Sequence, residues 1–175
     1  MSEGAGECGE YEGRGKYGKR VEYGQRGEYG QRLQPGERLE SGERLERVNP
    51  PRLSPPTGFS HAVRAAPGST VVFLAGQTAL DGAGRIVGDG LVEQFEQALT
   101  NLLTAAEAAG AGPADLAKLT VFAVDVADYR RQAPALGRVW KRLVGRDYPA
   151  MAVVGTTRLW DEAALVEIEG IAVIR

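Results

Sequence analysis

The chain has 175 residues, with 21 basic and 23 acidic side chains and a formal net charge of −2. That length holds one ordinary domain with a tail and leaves little room for two. The near balance of charge lacks the electrostatic footprint of a nucleic-acid binder. A single cysteine and a single histidine exclude a disulfide framework, a cysteine-ligated zinc site and a multi-histidine metal centre within one chain, so no metal is expected.

The opening residues, MSEGAGEC, are acidic and glycine-rich, with neither the basic nor the apolar region of a secretory signal. No apolar run approaches the roughly 18 residues that cross a bilayer. A cytoplasmic protein with no membrane partner is expected, and the lone Cys8 fits a reducing compartment.

Composition changes near residue 50. The first 50 residues hold nine Lys or Arg, ten Glu and 11 of the 24 glycines, but only five Leu, Ile, Val or Phe. So little apolar surface does not offset chain entropy, and a disordered tail is expected there. The tail is a hexapeptide repeat with arginine at Arg14, Arg20, Arg26, Arg32, Arg38 and Arg44. A β-helix would need a bulky aliphatic in every coil, and the matching position reads Gly, Gly, Val, Gly, Leu, Leu, Leu. Tyrosine and arginine interleaved with glycine also suit stacking on single-stranded nucleic acid, but the glutamates largely cancel the field. No nucleic-acid partner is expected. The proline-rich stretch 49–58 reads as a linker, so the division is a tail and linker over 1–56 and a folded domain over 57–175.

Within the domain, 59–65 is a short strand candidate ended by Ala66-Pro67-Gly68, and 70–75 is a β-branched strand. The glycine-rich segment 76–90 reads as a loop. Leu91, Phe95, Leu99, Leu102, Leu103 and Ala106 follow helical spacing, with Asp89 as N-cap and Gly110 as stop. Residues 116–126 form a strand. Residues 128–143 form a second helix with Leu136, Val139, Trp140 and Leu143 on one face and a kink at Pro134. Strands follow at 150–156 and 165–174. The order β-β-α-β-α-β-β is an α+β arrangement with two helices on one face of a mixed sheet. The last strand sets Leu165, Glu167, Glu169 and Ile171 on one face and Val166, Ile168, Gly170 and Ala172 on the other. Apolar residues on both faces, with helices for only one, predict an oligomer.

Six segments, at 58–63 (GFSHAV), 71–77 (VVFLAGQ), 94–110, 115–129, 148–151 (YPAM) and 165–173 (LVEIEGIAV), occur in the order of the RidA (reactive intermediate/imine deaminase) family, which the chain resembles over 57–175. The resemblance implies a chorismate-mutase-like homotrimer with ligand clefts between subunits. For the founding branch it also implies hydrolysis of 2-imino or enamino acids to 2-keto acids and ammonia, a reaction that requires no metal or organic cofactor. Glu167 corresponds to the family's site glutamate and is the candidate catalytic residue, orienting water or carrying its proton. The substrate-binding candidates are Phe59, Gly76 and Met151. Phe59 stands where the family has a cleft tyrosine and keeps the ring without the hydroxyl. Gly76 lets backbone approach a ligand. Met151 follows Pro149-Ala150 where the deaminase branch carries an arginine for the substrate carboxylate; a thioether packs but does not neutralise a carboxylate.

Altered specificity toward imines without a carboxylate is therefore expected, with a non-catalytic trimeric metabolite-binding protein as the alternative and a chaperone-like trimer as a third reading. By residue type alone, Glu167 also fits an interface carboxylate, Gly76 a turn, and Met151 and Phe59 packing. His61 is a possible general base without an identifiable partner. Arg64 and Arg158 are the guanidinium groups available to replace the missing one.

Overall fold

The computed structural model describes residues 44–175; the hexapeptide repeat, apart from its last coil, lies outside the described residues. A four-stranded sheet is built from β3 (Thr70–Gln77), β4 (Leu116–Ala123), β5 (Ala150–Gly155) and β6 (Val166–Ile174), in the spatial order β3-β6-β4-β5. β6 is antiparallel to both neighbours, whereas β4 and β5 run parallel. Helix α1 (Leu91–Ala108) crosses one face of this sheet, joined by α2 (Val126–Arg131) and α3 (Ala133–Leu143). The α+β class and the face that carries the helices are as expected.

The helical spacing in α1 buries Leu91, Phe95, Leu99, Leu102 and Ala106 against Leu119, Val121, Val166 and Ile168 of the sheet. Its N-cap is Gly90, not Asp89: the Gly90 N–H donates to the Glu93 carboxylate at 2.8 Å, so the first turn is closed from within the helix. Gly110, at φ 81°, ends the helix as expected, its N–H reaching the Glu107 carbonyl at 2.9 Å.

The expected second helix is two. Strand β4 stops at Ala123, and Asp125 caps α2 by accepting the Asp128 N–H at 2.9 Å. The chain breaks at Gln132, and Pro134 sits in the first turn of α3. A proline there has no intrahelical N–H bond to lose, so it opens a helix and kinks none.

The first strands also differ from expectation. β1 (Leu45–Val48) pairs antiparallel with β2 (Ala62–Ala65) in a separate two-stranded sheet. Of the segment 59–65, only Ser60 bridges to the main sheet, at Ala150. β1 lies inside the residues expected to be tail and linker, so ordered structure begins ahead of residue 57. Leu45 is buried, Arg44 Nη1 meets Asp115 Oδ1 at 2.8 Å, and Arg47 Nε donates to the Tyr148 carbonyl at 3.2 Å. A composition averaged over 50 residues hides a four-residue strand whose contacts are all made elsewhere in the chain.

The loop into β6 is held by Gln94, a buried amide. Its Nε2 donates to the Gly88 and Ala163 carbonyls at 3.2 and 3.0 Å, and its Oε1 accepts the Leu165 N–H at 2.8 Å. That satisfaction is what lets a polar side chain sit in the core. On the sheet face without helices, Val71, Phe73 and Val154 are 50, 79 and 41 % exposed. Among the described residues, no helix is long and apolar enough to cross a membrane.

Candidate functional site

The candidate residues fall into two pairs. Phe59 and Met151 line one cleft of about 360 Å³ between β5, α2, α3 and the segment that leads into β2. Backbone pairing places them together: the Ser60 N–H donates to the Pro149 carbonyl at 2.8 Å and its Oγ to the Tyr148 carbonyl at 2.7 Å. Met151 is in register with buried Leu119 of the parallel neighbour, which turns it toward the helices.

Aromatic rings make most of this cleft. Trp140 of α3 and Tyr148 stack at 5.2 Å with an interplanar angle of 12°, while Phe95 and Tyr129 meet edge to face at 6.2 Å. Burial pushes the Tyr129 phenol up to about 12, so it stays a neutral hydroxyl at ordinary pH. The Trp140 indole N–H is fully buried without an acceptor among the described residues. That ring is 3 % exposed and one face is covered by Tyr148, so it backs the cleft wall and offers no donor. No lining residue carries a formal charge.

Gly76 and Glu167 form the second pair. A Cβ on Gly76 would overlap Oε1 of Glu167 and lie 2.8 Å from its Cδ. Glycine is thus needed for the carboxylate to lie over β3, a close approach of side chain to backbone. Glu167 is half-buried, in register with Phe122 of β4, and makes no hydrogen bond or ion pair among the described residues. Phe122 is in turn in register with Val154 of β5. Alternation along the strands then puts Glu167 on the face without helices and Met151 on the face with them. One chain does not bring the two pairs together; they sit toward opposite edges and on opposite faces of the sheet.

The remaining candidates are engaged elsewhere. Arg64 pairs with Glu46 across the β1–β2 ladder. Arg158 lies 4.0 Å from Glu162 in the exposed loop before β6. His61 sits edge-on to Phe59 at 5.1 Å, its Nε2 2.9 Å from the Ser54 carbonyl, and its backbone N–H donates to Asn49 Oδ1 at 2.9 Å. None of the three lines the cleft.

Residues 50–174 match the protein family described as endoribonuclease L-PSP. The chain belongs to that family. The RidA resemblance holds among named relatives of the endoribonuclease L-PSP family. A 2-iminobutanoate/2-iminopropanoate deaminase of Dermatophagoides farinae is 33% identical over 129 residues, covering 73% of this chain and 94% of that protein. One of Capra hircus is 35% identical over 103 residues, covering 58% and 72%. Among solved structures, a Rid-family protein of unknown function, YyfB from Yersinia pestis, superposes with a TM-score of 0.67 at 32% identity, over 74% of this chain and 98% of that one. Escherichia coli TdcF with bound serine gives 0.54 at 27% identity, over 74% and 95%.

Within this endoribonuclease L-PSP fold, most of the cleft wall has no signature in the sequence. Helical spacing marks Phe95 and Trp140 as core-packing residues, and they do pack there while also lining the cleft. Tyr129 and Tyr148 carried no signal of their own, because their meeting depends on α2 and the turn into β5.

Proposed function

We propose that the chain is a RidA-like hydrolytic deaminase whose cleft favours imines or enamines lacking a carboxylate. The observation that carries the reading is Met151: it lies in a cleft with no charged side chain, at the position where the resemblance places the carboxylate-binding arginine. The reaction adds water across the C=N bond. Glu167 takes one proton from the attacking water as the C–O bond forms and passes it to the imine nitrogen, giving a carbinolamine; it then takes the carbinol O–H proton and passes it to the same nitrogen as the carbonyl forms and the C–N bond breaks, releasing ammonia and a carbonyl compound. No metal or organic cofactor is needed for that balance.

Such chemistry requires Glu167 and the Met151 cleft in one site, which a second copy supplies when the β3 side of one protomer meets the β5 side of the next. The exposed Phe73, Val71 and Val154 favour burial of this sheet face between copies. Light scattering is expected to give the mass of a homotrimer; a monomer mass would leave the two pairs apart and end the proposal. The location proposed for such a trimer is the cytoplasm. An RNA-cleaving reading finds no support in the cleft, whose wall offers no lysine or arginine to a phosphate.

Specificity provides the test. An amino-acid oxidase coupled to the protein generates 2-imino acids, and uncharged imines are supplied separately. Wild type is expected to prefer the uncharged substrates. Met151→Arg should move the ratio of kcat/KM toward the acids by roughly tenfold to a hundredfold, the effect of one charged bidentate contact in a partly desolvated site. Strong wild-type activity on 2-imino acids, undiminished by Arg64→Ala or Arg158→Ala, would overturn the assignment of Met151. Ligand binding without turnover on any imine would favour the non-catalytic binding protein.

A further inference from the structure

We propose that the cleft binds neutral, flat, ring-bearing small molecules and that Gly137 determines this by keeping its mouth open. The inference deepens the reading of the Met151 cleft and rests on it. A volume of about 360 Å³ falls within the range of small-molecule pockets, about 300–1,000 Å³. Five aromatic rings build the wall: Phe59, Tyr129 and Tyr148 are partly exposed in it, and Phe95 and Trp140 lie buried behind them. The hydroxyls of Tyr129 and Tyr148 make no hydrogen bond among the described residues, which leaves them free to orient a ligand heteroatom. A carboxylate entering this wall loses water and gains no cation, whereas a ring gains stacking surface.

Gly137 is the second observation. Ala133, Leu136, Gly137 and Trp140 all line the cleft and recur at helical spacing along α3. Glycine inside a helix weakens it, so its presence calls for a reason. Backbone conformation is not that reason, because Gly137 is not among the glycines of positive φ. Crowding is not the reason either: a Cβ built there meets nothing within 4 Å. What a larger side chain would change is the space over the cleft mouth, where Gly137 is exposed.

The full chain titrated calorimetrically with indole and with indole-3-acetate tests this, since the two share a ring and differ by the charged group. Indole is expected to bind at least tenfold more tightly than the acetate. Gly137→Leu should weaken indole binding at least tenfold, with helical circular dichroism and melting temperature retained or raised. Val153→Lys, on the exposed part of the wall, should shift the preference toward the acetate by about tenfold; it serves as an independent variant if the helix tolerates leucine poorly. Equal affinity for the two probes, no binding of indole at millimolar concentration, or unchanged binding in Gly137→Leu would overturn the inference. Failure of all imine turnover with the binding pattern intact removes the deaminase reading alone. Imine turnover without the ring preference removes this inference alone.

Discussion

Glu167→Gln is expected to lower kcat for imine hydrolysis by about 10²- to 10⁴-fold, the range that a positioned general acid–base contributes. Assembly mass and melting temperature should stay close to wild type. The carboxylate has no hydrogen-bond or ion-pair partner among the described residues, so glutamine leaves nothing unpaired. Gly76→Ala should reach a similar loss by another route. Its Cβ would take the place of Glu167 Oε1, and because that atom is the far end of a flexible side chain, the carboxylate moves while the backbone holds. Steady-state kinetics on both variants, with KM and kcat separated, check the assignment. Full turnover in Glu167→Gln would remove the catalytic role, and full turnover in Gly76→Ala would show that the carboxylate acts from another position.

Truncation is expected to have the largest effect on stability. A chain covering residues 51–175 should melt roughly 5–10 °C below one covering 44–175, which keeps β1. Three contributions are removed together: the buried Leu45 side chain, the β1–β2 ladder, and the anchors of Arg44 on Asp115 and Arg47 on the Tyr148 carbonyl. Burial of one leucine stabilises by about 1.5–3 kcal/mol, and each hydrogen bond adds on the order of 1 kcal/mol. Composition alone predicts no loss on removing residues 1–50, and β1 is the reason that expectation is replaced. Differential scanning calorimetry on the two chains decides it; equal melting temperatures would mean that β1 contributes nothing net. The same comparison reports on the cleft, because Arg47 and Ser60 share the Tyr148 carbonyl and so hold one of the stacked rings.

The long periodic elements were legible because their signal is local. In α1 the 3–4 spacing of Leu91, Phe95, Leu99, Leu102 and Ala106 both makes the helix and chooses its buried face. In β6 the alternation of Val166, Ile168, Gly170 and Ala172 with Glu167, Glu169 and Ile171 states which side meets the helices, and the burial follows it. The family was likewise legible from six ordered segments. Short elements were not. β1 holds four residues whose partners stand 14 to 20 positions away along the ladder, so nothing in its own composition marks it. Gln132 separates α2 from α3, because Asp125 and Pro134 start two helices, and the apolar stripe of Leu136, Val139, Trp140 and Leu143 belongs to α3 alone.

Residue types at the candidate site can be read along the chain: a glutamate on β6, a glycine on β3, and a methionine and a phenylalanine where the family resemblance places a charge and a hydroxyl. Tertiary structure alone decided how they associate. Gly76 meets Glu167 because β3 pairs with β6, and Phe59 meets Met151 because Ser60 bonds to the strand that carries it. The two pairs fall on opposite faces because strand alternation fixes the side of each residue, while register across β4 fixes which residues share it. Hydrophobic periodicity is a property of neighbours in the chain, whereas a cleft is a property of surfaces that meet through pairing, and only the fold specifies that pairing.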